Sequence, residues 1–161
     1  MSTRRYASSP GDLFDLAAYW LIVAGVYLLV GVLFLYSGKS KLFDDNGHAP
    51  AALKKQFEGT FIDKVPGVDT AWVIIGILEL AVVALMVVSI MRGEFLPRRT
   101  KSVLLVALAL ALVTFACLSF GQTSTGNNQG TASLYTYFAS TAVILLLVLQ
   151  LPVLGSPESR R

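Results

Sequence analysis

The chain has 161 residues, of which 55% are apolar and only 14% charged, and its mean hydropathy is +0.66; ordinary globular chains are about a quarter charged. Residues 16–38 and 102–157 hold no charge, runs of 23 and 56 residues that exclude a soluble domain. A formal charge of +3 would point to nucleic acid in a soluble protein, but here the basic residues flank apolar runs, where they are topology signals and not a nucleic-acid surface.

A bilayer-spanning helix needs about 20 mostly apolar residues, so 161 residues hold four spans with no room for a separate catalytic domain. The expected fold is all-α, a polytopic four-transmembrane-helix bundle forming one membrane domain over 1–161. Span one is expected at 16–38, LAAYWLIVAGVYLLVGVLFLYSG. It is too long for a signal-peptide core and runs into SGKSK instead of a small-residue cleavage site, so it is read as uncleaved. The outer loop, 39–69, is the one long polar segment. Within it Leu53, Phe57 and Phe61 recur every four residues behind Pro50, a spacing that aligns one apolar face of a short helix, although Gly59 interrupts it. A helix lying on the outer surface and a plain packed loop both remain open.

Span two, 70–91, is uncharged except for Glu79, and Arg92, Arg98, Arg99 and Lys101 follow it, with Pro97 marking the turn. The 56-residue run divides at GQTSTGNNQGT, residues 121–131, which has no apolar side chain. Such a segment is not stable facing lipid, because its backbone groups would go unpaired. Span three is therefore expected at 102–120 and span four at 134–154. Eight basic residues fall on the side of the termini and the 92–101 loop, against five on the other side, where acids balance them. Both termini are expected on the cytoplasmic side of a bacterial plasma membrane. Tyr19, Trp20, Tyr36, Trp72, Tyr135 and Tyr137 sit near span ends, as interfacial aromatics do.

Glu79 is the candidate catalytic residue. It lies nine residues into span two, roughly 13 Å deep and near the middle of a ~30 Å core. An acid there costs about 2.5–3.5 kcal/mol, so it should face the protein interior and have a partner. A bound proton or an ion pair would lower that cost. Both a functional role, in proton relay or in binding a polar head group, and a structural one, joining two helices, are open. By depth, Thr114, Ser140, Thr141 and Tyr27 are the expected partners. Lys39 and Lys41 start at the surface, and a lysine snorkels only about one turn; pairing with Glu79 would require the chain after Gly38 to dip back into the bundle.

Gly25, Gly31 and Gly38 recur every six or seven residues along span one and are read as a close-packing stripe. SGKS at 37–40 lacks the earlier glycine of a phosphate loop, since Leu33 stands there. Cys117 is the only cysteine, so dithiol redox chemistry is excluded, and it is read as a buried small hydrophobe. One histidine, His48, excludes bis-histidine haem, and no metal site is expected. Gln122 and its polar neighbours are candidates for hydrogen bonding a ligand at the outer mouth.

GVLFLYSGKSKLF, with Gly38, Lys39 and Lys41-Leu42, followed by GILEL with Gly76 and Glu79, resembles the DoxX-like superfamily of small four-helix membrane proteins. LVTFACLSFGQTS is similar to its YkgB-type branch, and the likeness spans roughly residues 16 to 154. The resemblance implies a four-helix bundle associated with membrane redox systems, either as the membrane subunit of a thiosulfate:quinone oxidoreductase or within oxidative-stress complexes. It marks Lys39, Lys41 and Glu79 as a site; Thr114 and Gln122 join them as ligand-binding candidates. The expected function is a membrane or accessory subunit of a quinone-linked oxidoreductase, embedded in lipid within a larger complex or a homo-oligomer. The chain is expected to bind no cofactor of its own and to touch quinone. A small-solute or proton carrier and a purely structural assembly subunit are the alternatives.

Overall fold

A computed structural model describes residues 10–97 and 99–150. Arg4, Arg5, Arg98, Arg160, Arg161 and the last four residues of the expected fourth span lie outside them. The described chain is all-helical: α1 (Pro10–Lys39), α2 (Ala51–Phe57), α3 (Phe61–Lys64), α4 (Val68–Met91), α5 (Ser102–Ser124) and α6 (Asn128–Gln150). A π-helical turn, Ser40–Asp44, continues α1. Four helical segments, Leu16–Asp44, Val68–Met91, Ser102–Ser124 and Asn128–Gln150, are long and apolar enough to cross a membrane.

Sequential helices are neighbours: α1 packs on α4, α4 on α5 and α5 on α6. Valines at i, i+3 and i+7 turn one stripe of α1 inward, Val23, Val26 and Val30, continued by Phe34. They meet Val82 and Met86 of α4 and Leu104, Leu108, Ala111 and Phe115 of α5. Phe115 stacks between Phe34 and Tyr137, with ring centroids at 5.1 and 5.8 Å. The outward faces are as apolar as the inward ones: Leu28, Leu29, Ile77 and Leu146 are all exposed. Helices hydrophobic all round belong in a large core or in lipid.

The spans end differently from the apolar runs that define them. Polar residues 121–131 do not form one long turn: α5 continues to Ser124, α6 starts at Asn128, and only Thr125–Asn127 separate them. Side chains explain the extension. Thr123 and Ser124 donate back to the Ser119 and Gly121 carbonyls, and Thr131 donates to that of Asn127, so the polar turns at each helix end satisfy themselves.

Between the π turn and α4 the chain folds over this end of the bundle. The expected helix behind Pro50 is present but splits at Gly59, whose φ of +76° ends α2 before α3 begins. Phe57 is buried and Leu53 half-buried, whereas Phe61 beyond the break is exposed. The Asp69 carboxylate pins the segment, accepting from the Ala49 amide at 2.8 Å and from the Lys54 ammonium at 2.7 Å.

Candidate functional site

Glu79 is 2% exposed, and its partner is Lys41, itself 7% exposed. The ammonium reaches both carboxylate oxygens, at 3.0 and 2.9 Å. Ser37 closes the group: its hydroxyl accepts from Lys41 and donates to Glu79 Oε1 at 2.9 Å. None of the four partners expected from depth is hydrogen-bonded to Glu79. Thr114, fully buried, donates to its own helix at the Leu110 carbonyl, 2.9 Å away. Tyr27 pairs with Ser89 at 2.7 Å, Ser140 is exposed, and Thr141 is buried on α6.

The reason is local backbone geometry. The wider π turn after Lys39 carries Lys41 inward instead of toward the surface, and such turns recur at functional positions. Two glycines make the approach sterically allowed. A Cβ on Gly76 would lie 2.9 Å from Leu42 Cγ and 3.1 Å from Lys41 Cβ, and one on Gly38 would lie 3.0 Å from Leu80 and 3.1 Å from Glu79 Cβ. Gly38, Lys41, Leu42, Gly76 and Glu79 are thus one contact set. The rest of the α1 glycine stripe is looser: a Cβ on Gly31 makes only ordinary contact with Met86, and one on Gly25 meets open space.

Lys39 stays outside, pairing with Asp44 at 3.4 Å on the surface. Gln122 lies elsewhere, accepting from Gln56 at 2.9 Å and Asn127 at 2.8 Å and so tying α2 to the α5–α6 turn. His48 is exposed, 3.6 Å from Asp69. No cluster of three or more metal-ligating side chains occurs among the described residues.

Trp72 joins the ion pair to a groove. Lys41 Nζ sits 4.8 Å from the centroid of its ring, a cation–π contact. The same indole walls a cavity of about 340 Å³ between α4 and α5, beneath α2 and α3. Its Nε1–H is buried without an acceptor, so the ring is held by packing and by the lysine. Cys117 is not the buried hydrophobe expected; it is exposed and lines this groove. A packing residue and a groove-lining residue look alike in an uninterrupted apolar helix, because neither breaks the pattern.

A second buried polar group at the opposite end was not anticipated. Glu94, 3% exposed, accepts from the Val103 and Leu104 amides at 3.1 and 2.9 Å, capping α5 from the preceding loop. Ser89 donates to it at 3.0 Å. Lys101, 5% exposed, donates to the Glu94 carbonyl at 2.8 Å and to the Tyr19 hydroxyl at 3.1 Å. Burial pushes the Glu94 carboxyl up, but the two amides, Ser89 and the nearby Arg92 outweigh it, and the carboxyl stays below its ordinary range. Burial draws the Lys101 ammonium down, against the pull of Glu94. The signal available in the sequence was that Glu94 is the one acid in a basic loop.

Compared with protein-family models, with curated proteins and with solved structures, the chain has no match in any of the three.

Proposed function

We propose that this chain is a four-span accessory subunit of a quinone-linked membrane oxidoreductase complex, in a bacterial plasma membrane, with both termini cytoplasmic. The observation that carries the reading is the satisfied Lys41–Glu79–Ser37 cluster sharing Trp72 with an apolar groove. Lys41 and Glu79 neutralise each other, and Ser37 takes up further hydrogen-bonding capacity of both, so the cluster offers no free base or nucleophile. That favours a group that shapes a binding wall over one that performs chemistry. The groove beside it offers an apolar surface to a membrane-soluble molecule. The likeness of Gly38, Lys41-Leu42, Gly76 and Glu79 to the DoxX-like pattern supplies the redox context, and their meeting in one contact set supports treating them as one motif.

Orientation follows from the excess of basic residues on the side of the termini. The α2–α3 segment then lies on the outer face, with the ion pair and groove in the outer half of the bundle.

Purification from native membranes in mild detergent, with mass spectrometry of copurifying proteins and an absorption spectrum, tests the reading. Flavin or haem arriving with defined partners is the expected outcome, and Glu79→Gln should lower quinone-dependent turnover per assembled complex. A lone colourless oligomer would overturn the proposal. Lower complex yield with unchanged turnover would make the chain a structural assembly subunit, the role to which a fully satisfied ion pair is equally suited.

A further inference from the structure

The groove has dimensions that narrow what it holds. Its α4 wall runs from Val68 to Leu78, ten residues or about 15 Å of helix. A volume of about 340 Å³ spread over that length gives a mean section of roughly 23 Å², or ~5 Å across. This is the width of a single hydrocarbon chain whose carbons contact the wall at ~3.5–4.0 Å. The lining matches: among its residues only Trp72 and Gln122 carry a side-chain nitrogen or oxygen, and none is charged. Gln122 is already engaged by Gln56 and Asn127.

The groove is also open sideways. Ile74 is 46% and Phe120 61% exposed, and Cys117 is exposed between the same two helices. These positions are six residues inside α4 and four to seven residues inside α5, so the opening lies along the sides of the apolar helices and not at their ends. Over it lies a roof built for the purpose of close packing: the Phe57 ring lies 3.5 Å from where a Cβ on Gly121 would be, so only glycine lets α2 settle so closely on α5. Phe61 stands exposed at the roof's edge and also lines the groove.

We propose that this groove holds one linear hydrocarbon chain of a bilayer amphiphile, entering laterally between α4 and α5 and ending beneath Phe57 and Trp72. The inference rests on the membrane placement proposed above, because only then does the lateral opening face hydrocarbon. It does not require a redox partner. Within a bilayer the chain is not withdrawn from water, so shape and packing drive occupancy and the enrichment is modest. Acyl chains of glycerolipids and prenyl chains of isoprenoids share this chemistry. Since Lys41 lies against the ring that forms the groove's wall, occupancy also bears on the ion pair.

The test is photolabelling of the full chain in phosphatidylcholine vesicles. One set is doped with a phosphatidylcholine bearing a mid-chain diazirine, the other with a polyprenol bearing one, and labelled positions are mapped by mass spectrometry. Labelling per residue at Ile75, Leu78 and Leu118 should exceed that at Leu28 and Leu29 of α1 and Leu146 of α6 by roughly threefold or more. Cys117→Phe, which adds bulk from an exposed position, should bring groove labelling down to the level of α1 and α6 while leaving those helices labelled. Enrichment with the acyl probe assigns the groove to glycerolipid, and with the prenyl probe alone to isoprenoids. Uniform labelling with both probes overturns the proposal while leaving the membrane placement intact. No labelling of α1 and α6 refutes the membrane placement and the groove's role with it. If Cys117→Phe fails to insert, the wild-type ratio decides alone.

Discussion

Replacing Lys41 by Met leaves the Glu79 carboxylate with Ser37 as its only side-chain donor, in a position 2% exposed on a rigid helix. Glu79 is eleven residues from the start of α4 and has no stem long enough to reach water. Breaking a buried pair in this way costs about 3–5 kcal/mol, whereas replacing both partners by apolar residues of similar size is neutral or stabilising by up to ~4 kcal/mol. Each kcal/mol shifts the melting temperature of a chain this size by roughly 2–4 °C, so Lys41→Met should lower it by about 6–20 °C. Glu79→Leu should be milder. The orphaned ammonium sits in the turn just beyond α1 and has a flexible stem with which to swing toward the surface. The double variant should melt within a few degrees of wild type. Thermal unfolding in nanodiscs, followed by circular dichroism for all four proteins, completes the cycle. A loss below about 1 kcal/mol for Lys41→Met, or a double variant worse than either single one, would refute the coupling.

Gly76→Ala brings a Cβ against Leu42 and Lys41 and should destabilise by about 1–3 kcal/mol. Gly25→Ala meets nothing within 4 Å and should be neutral or stabilising by up to ~1 kcal/mol; comparable losses in the two variants would contradict the close approach at Gly76. Glu94 has a folded-state carboxyl held below its ordinary value of 4.5. Its contribution to stability is therefore complete above that pH and lost as the pH falls through the lower folded value. Wild-type melting temperature should decline in that acid window and Glu94→Gln should flatten that part of the decline; parallel profiles would show that Glu94 is not responsible. Thr114→Val removes a hydroxyl bonded only to its own helix and should change stability by less than about 1 kcal/mol, leaving the Lys41–Glu79 coupling energy unaltered when the cycle is repeated in that background.

Hydropathy alone located the four long helices, because the runs free of charge are long and an apolar residue in lipid needs no finer pattern. The same uniformity hid the interior. With almost every position apolar, periodicity does not separate Val82, fully buried, from Ile77, which is exposed. Glu79 was legible because one acid in such a run has to be accommodated. Its partner was not, because depth counted along ideal helices places Lys41 at the surface, and the π turn that brings it inward has no sequence signature as plain as Pro or Gly. Gly38 and Gly76 were visible as glycines, but only the contact between two elements shows why a side chain is excluded there. The α5–α6 turn was drawn too long for a related reason: helix ends that satisfy their own carbonyls through Ser and Thr read as loop by composition.

The two buried polar groups bear on the carrier reading as well. Ser37, Lys41 and Glu79 lie at one level, and Tyr27, Ser89 and Glu94 at another. Glu79 and Ser89 are ten residues apart on α4, about 15 Å. Val30, Phe34, Val82, Met86, Leu108 and Ala111 fill the interval, each 3% exposed or less. Thr114, the polar residue of α5 nearest this layer, directs its hydroxyl to its own backbone. A proton relay needs donors and acceptors within hydrogen-bonding reach, and a packed apolar layer of this thickness interrupts it. Each polar group is instead closed on itself: an ion pair locks α1 to α4 at one end, and a capped helix start locks the 92–101 loop to α5 at the other. That arrangement suits a rigid scaffold presenting its side wall to the membrane, and it favours a subunit that positions something beside it over one that passes something through it.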